Sequence, residues 1–122
     1  MSWKFSPDRP VYVQVAERMR NLIISGQYPP GGQIPSVRQI ALDAAVNPNT
    51  VQRAVVELES EGLIVSHGTV GNFVTDDEGT ISLCKQSRAR ALVDEFIKSA
   101  AELSISKEEL IQMIKEETDE RS

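Results

Sequence analysis

Side chains suited to reading flat, hydrogen-bonding edges crowd into one short run of this chain, Asn49, Thr50, Gln52 and Arg53. Arginine presents a planar fork of donors. An amide side chain presents a donor beside an acceptor. These groups match guanine and adenine edges respectively, while a threonine serves a phosphate or a thymine methyl. A second set is Ser36 and Arg38. Ser36-Val37-Arg38-Gln39 has capping-box form, so the Ser36 hydroxyl should accept from the third N–H and Gln39 should reach back. The N–H groups left over at such a helix start favour an anion, and Arg38 stands beside them. A third set, His67 and Gly68, lies on a glycine-bearing turn, where a neutral imidazole can donate to a base edge in the minor groove.

Bond-breaking chemistry has far less to build on. The chain holds one histidine, His67, and one cysteine, Cys84. There is no second histidine to share a metal, no glycine-rich phosphate loop and no nucleophile set beside a base. The expectation is no enzyme, no metal and no cofactor. Cys84 reads as a small buried hydrophobe.

The elements that must carry these residues are well punctuated. Pro10 opens a helix in which Val11, Val15, Met19, Leu22 and Ile23 recur at helical spacing, and Gly26 lies just past its end. Gln27 to Gly32 carries two prolines and two glycines and reads as a loop. A short second helix follows Ser36, with Ile40, Ala41 and Ala44 inward, ending near Ala45-Val46. Asn47 is a good N-cap and Pro48 suits the next position, so a third helix starts there and runs to Gly62. Its inward residues are Val51, Ala54, Val55 and Leu58, which turns positions 49, 52 and 53 outward. Two helices joined by a tight turn form a helix-turn-helix, whose second helix enters the major groove. Leu63 to Ser66 and Asn72 to Thr75 flank the turn at His67 to Gly71 and predict a hairpin, a wing. Trp3 and Phe5 are placed to pack on the first helix, a partner or the wing.

Asp76 to Thr80 is polar and reads as a linker. Beyond it Leu92, Val93, Phe96, Ile97, Ala100 and Leu103 form an apolar stripe. Ser106 to Glu109 is another capping box, with Ile105 and Leu110 placed as a hydrophobic staple, and Leu110, Ile111 and Ile114 continue the last helix. A helical hairpin this short seldom folds unaided. It must bury its stripe on the first domain or on a second copy.

Composition sets the outer bounds. Hydrophobic residues make up 40% of 122, enough for a core. No apolar run approaches membrane-spanning length, the Met1-Ser2-Trp3-Lys4 start lacks the apolar block of a signal peptide, and the simplest expectation is a cytoplasmic protein. The net charge of −5 seems to oppose a nucleic-acid partner. Yet residues 1–75 balance six cations (Lys4, Arg9, Arg18, Arg20, Arg38, Arg53) against six carboxylates, and the whole excess lies in 76–122. A face for phosphates therefore belongs in the first part, with the acidic tail turned away.

Taken together, Pro10 to Val15, Pro30 to Arg38, Val46 to Ala54 and Leu58 to Ile64 resemble the GntR family of bacterial regulators. The Asn47-Pro48-Asn49-Thr50-Val51 form and the short C-terminal segment resemble its YtrA branch. The resemblance implies a winged helix with a C-terminal helical pair, a two-fold dimer, and transcriptional regulation, usually repression. It also implies DNA contact at Arg38. The wing departs from the family pattern, in which arginines precede a Gly-x-Gly-Thr-Phe-Val motif; here the tip lacks positive charge.

The expected fold is thus α+β and mostly α: a winged helix-turn-helix over 1–76 and a short helical dimerisation domain over 77–122. The expected function is a homodimeric, sequence-specific regulator of double-stranded DNA on a palindromic operator. The competing possibility is a winged helix turned protein–protein module, suggested by the acidic balance and the arginine-poor wing. The hairpin is too short to enclose an effector pocket of its own, which leaves the dimer interface as the place for a small molecule of unassigned identity.

Overall fold

Helix starts dominate how this sequence folds, and a computed structural model describes the backbone of residues 3–121 and the side chains of 3–117. The element order is α1 (Val11–Ile24), α2 (Val37–Ala44), α3 (Pro48–Ser60), β1 (Ile64–Ser66), a single 3₁₀ turn (Gly68–Val70), β2 (Asn72–Val74), α4 (Glu78–Glu102) and α5 (Lys107–Arg121). Pro10 itself stays extended, and α1 begins one residue later than expected.

The chain divides into two compact units at Lys85 and Gln86. In the first, α3 packs against α1, α2 and the first wing strand around Val15, Met19, Ile23, Ile40, Val51, Val55, Leu58 and Leu63. Full burial of each larger apolar side chain contributes about 1.5–3 kcal/mol. Trp3 and Phe5 pack on this same cluster, with their rings 6.3 Å apart. Gln14, buried within α1, fixes the approaching chain: its amide accepts from Ser6 N–H at 2.7 Å and donates to Ser6 and Arg9 carbonyls at 2.8 and 2.9 Å. Val11 departs from the expected inward row and is 38% exposed.

The wing is an antiparallel pair in the register Ile64↔Val74, Val65↔Phe73 and Ser66↔Asn72. The stretch before α2 lies along its other edge. Gly31 N–H donates to Val74 carbonyl, Val74 N–H to Gly32 carbonyl, and Ile34 N–H to Asn72 carbonyl, at 2.9 to 3.1 Å. Ile34 is buried there, so part of what reads as loop works as an edge strand.

The polar run at 76–80 is a helix start. Asp77 accepts from Gly79 N–H at 3.0 Å and Thr80 hydroxyl at 2.9 Å. The Thr80 hydroxyl, then the Thr80 and Gly79 backbone N–H groups, hold its carboxyl below the ordinary value of 3.8. Ile81 is then buried and Cys84 packs on the first core. The first turns of α4 therefore belong to the first unit, and the division falls later than the composition placed it, at 76.

Within the second unit α4 ends at a left-handed Ser104, with Leu103 and Ile105 N–H groups bonded to Ala100 carbonyl. The capping box at α5 is complete: Glu109 N–H donates to the Ser106 hydroxyl at 3.2 Å, and Ser106 N–H to the Glu109 carboxylate at 3.3 Å. Among the described residues no helix is long and apolar enough to cross a membrane.

Candidate nucleic-acid interface

Both helix starts singled out by the sequence are built as caps. Ser36 accepts from Gln39 N–H at 3.1 Å. The expected reciprocal bond is replaced, because the Gln39 amide donates forward to Asp43 at 2.9 Å. A glutamine at this spacing has an i+4 carboxylate within reach, and the charged acceptor wins over the backbone. Arg38 is exposed in this first turn, with no hydrogen bond or ion pair among the described residues. Ala45, left-handed at φ 57°, ends α2 and turns the chain into α3. The Asn47 side chain then accepts from Asn49 N–H at 2.8 Å.

On α3 the buried row Val51, Ala54, Val55 and Leu58 leaves Asn49, Gln52 and Arg53 exposed and Thr50 half-buried. These four residues do share one outward face. One neighbour was not foreseen. The Arg53 guanidinium stands 3.8 Å above the centre of the Tyr12 ring. Val11, Tyr12, Asn49, Thr50 and Arg53 line one open concavity of about 320 Å³. The start of α1 thus borders the face that α3 presents. The only hint in the sequence was the Val11-Tyr12 pair at a helix start, where periodicity suggested core for Val11.

The wing tip is chemically different. His67 is exposed, and its ring packs edge-on against Phe73 at 5.0 Å between centroids. Gly68 has a φ of +57° with nothing near the site of a side chain. Gly71, at φ +130°, lies where an added Cβ would meet the Gln33 amide at 2.8 Å. That amide donates to the Val70 carbonyl at 2.9 Å and ties the wing to the residues preceding α2. Val65 and Val70 are exposed beside it, and the tip carries no cation.

The six cations of residues 1–75 divide sharply. Arg9 pairs with Glu17 at 2.7 Å. Arg20 makes a two-pronged ion pair with Glu61, at 2.9 and 2.6 Å, joining α1 to the end of α3. The Glu61 bond, opposed by desolvation, raises the Arg20 guanidinium further above its ordinary value. Arg18 stands 5.5 Å above the Trp3 ring. Lys4, Arg38 and Arg53 remain uncommitted to any carboxylate among the described residues. Close by, burial first and the Asp43 charge second push the Tyr28 phenol above 10.0, against the opposing pull of Arg18.

The second unit exposes large apolar side chains. Leu92, Val93, Phe96 and Leu103 on α4, with Ile111 and Ile114 on α5, are each more than half exposed, and Ile97 is partly so. Met113, not foreseen, joins them at 58%. Ala100 and Leu110 depart from the expected stripe: both are already buried in the single chain, at 5% and 6% exposure. Ala100 sits where the end of α4 folds back on its own carbonyls, which leaves its small side chain little access. Among the described residues no three His, Cys, Asp or Glu side chains are grouped to hold a metal ion.

Comparison with known proteins places this arrangement. The model of the bacterial regulatory proteins of the gntR family matches residues 11–74. The HTH-type transcriptional regulator YhcF of Bacillus subtilis is 31% identical over 94% of this chain and 95% of its own length. The HTH-type transcriptional repressor YtrA of the same organism is 33% identical over 70% of each chain. Among solved structures, a GntR family transcriptional regulator from Listeria monocytogenes superposes with a TM-score of 0.86, at 33% identity over 92% of this chain and 98% of that one. The DNA-binding domain of AraR in complex with its operator superposes with a TM-score of 0.57, at 28% identity over 62% of this chain and 95% of that one.

Proposed function

The chain belongs to the gntR family of bacterial regulatory proteins, and from that premise we propose that it is a homodimeric repressor reading a palindromic operator. The observation that carries this reading is the outward row Asn49, Gln52 and Arg53 at the N-terminal end of α3, the end that a helix-turn-helix inserts in the major groove. Arg53 and Gln52 read base edges, Asn49 and Thr50 flank them, and Ser36 with Arg38 grips a backbone phosphate at the start of α2. His67 and Gly68 make at most a light minor-groove contact, since the ring already packs on Phe73. Likeness to a relative named a repressor and to a domain bound to its operator supports the reading.

The dimer rests on the second unit. Gln86–Ser122 falls below the roughly 40 residues at which a unit holds together alone. Large apolar side chains exposed in a contiguous set mark an interaction surface. A second copy brings the same apolar face, and a two-fold contact covers both at once.

Fluorescence anisotropy with a duplex from the region upstream of the gene tests the reading. Nanomolar binding that weakens as salt rises is expected. Arg53→Ala should cost about 1–3 kcal/mol with relaxed sequence preference. Binding that is absent, or indifferent to salt, overturns the proposal.

A further inference from the structure

We propose that Tyr12 is a positioning residue for recognition, holding the Arg53 guanidinium ready to meet a base edge and making the start of α1 part of the reading surface. The inference rests on the DNA-reading role proposed for Arg53.

Arg53 is exposed on α3 and has no carboxylate partner among the described residues. An exposed arginine of this kind ordinarily samples many rotamers, and each must be given up on binding. Here the guanidinium lies 3.8 Å above the Tyr12 ring, well inside the reach of about 6 Å over which a cation is attracted to an aromatic face. The choice of partner matters. A carboxylate would hold the group equally well but would occupy its donors. A ring face holds the flat side of the fork and leaves all the in-plane N–H groups available, which is the geometry a bidentate contact needs. Tyr12 is half-buried on α1, two turns of which are locked in the core by Val15, Ala16 and Met19. The platform is therefore fixed to the scaffold rather than to another mobile side chain. Arg38 has no such ring beneath it. The stack at Arg18 and Trp3 is looser, at 5.5 Å, and lies away from the reading row.

The test uses the full chain and a fluorescein-labelled duplex enriched from a randomised library on the wild-type protein. Tyr12→Leu should weaken binding to that duplex about two- to fivefold, the scale of an exposed cation–aromatic contact. Tyr12→Phe and Tyr12→Trp should bind like wild type, since each keeps a ring. In an Arg53→Ala background Tyr12→Leu should cause no further loss. Binding to an unrelated duplex, and the salt dependence, should be unchanged by Tyr12→Leu because no charge is removed. Thermal unfolding of each variant reports whether the fold is kept; a destabilised Tyr12→Leu leaves the Phe and Trp pair and the double variant to decide. A loss as large with Phe as with Leu, or an equal loss in the Arg53→Ala background, overturns the proposal. So does wild-type affinity in Tyr12→Leu, while the reading role of Arg53 survives that result. If the wild-type protein enriches no sequence at all, the DNA-reading role itself falls and Tyr12 falls with it.

Discussion

Val15, Met19, Val51, Leu58 and Leu63 of the first unit have no exposed surface, whereas Leu92 and Leu103 of the second are 63% and 74% exposed. The same residue types at the same helical spacing thus meet opposite fates. In the first unit three helices, a wing and the start of α4 supply enough faces to close a core. In the second, two helices cannot cover each other, and only Ala100 and Leu110 are enclosed among the residues of the expected stripe. An apolar period in a sequence therefore specifies that a face will be buried, and the number of neighbouring elements decides whether the chain itself can do so.

The contrast can be broken from either side. Leu58→Ala should have the largest effect, about 2–5 kcal/mol in chemical denaturation, because the fully buried site leaves a cavity. An unchanged midpoint would mean that the first core tolerates what a closed core should not. Phe96→Asp should act oppositely. It leaves the first unit folded, converts the species seen in sedimentation to monomer, and weakens operator binding about 100-fold through lost bivalency, or about 2.7 kcal/mol. A dimer that persists would locate the interface elsewhere.

Two caps of the same chemistry sharpen the comparison. Ser36→Ala and Ser106→Ala each remove a hydroxyl that accepts from a backbone N–H three residues on, at 3.1 and 3.2 Å. Each should cost about 1 kcal/mol. The first cost should be read in the unfolding of the first unit, the second in the dissociation constant of the proposed dimer. The smallest effect concerns pH. Burial raises the folded Tyr28 phenol above 10.0, so the unfolded chain ionises first. The stability it contributes is complete below pH 10.0 and is lost as pH rises through the folded value. Tyr28→Phe should flatten that alkaline loss in a denaturation series, and an unaltered slope would assign the loss to another group.

What the sequence made legible was mostly local. Ser36, Asn47 and Ser106 announce their helices because a cap is decided within four residues. The hairpin at 64–74 follows from alternation and a glycine turn. Contacts between residues distant in sequence escaped that reading. Gln33 reaches Val70, Arg20 reaches Glu61, and Tyr12 lies under Arg53, each pairing set by packing rather than by spacing. The run at 76–80 misled for a different reason. A cap and a linker use the same small and acidic residues, and only Ile81 and Cys84 beyond it, buried on the core, separate them. The Gln39 amide had a choice of two partners, the Ser36 N–H a turn behind and the Asp43 carboxylate a turn ahead. Composition does not rank them; the charge on Asp43 does.

The division of the cations bears on how such a protein finds its site. With Arg9 and Arg20 tied to carboxylates and Arg18 over Trp3, few positive groups remain to displace counterions from a duplex. Each phosphate neutralised contributes about 0.9 to the slope of log affinity against log salt. In the complex proposed above, where Arg53 is given to a base edge, few cations of residues 1–75 are left for phosphates, and the hold on unrelated sequence rests on those few. A duplex held in that way is distinguished more by its base edges than by its charge.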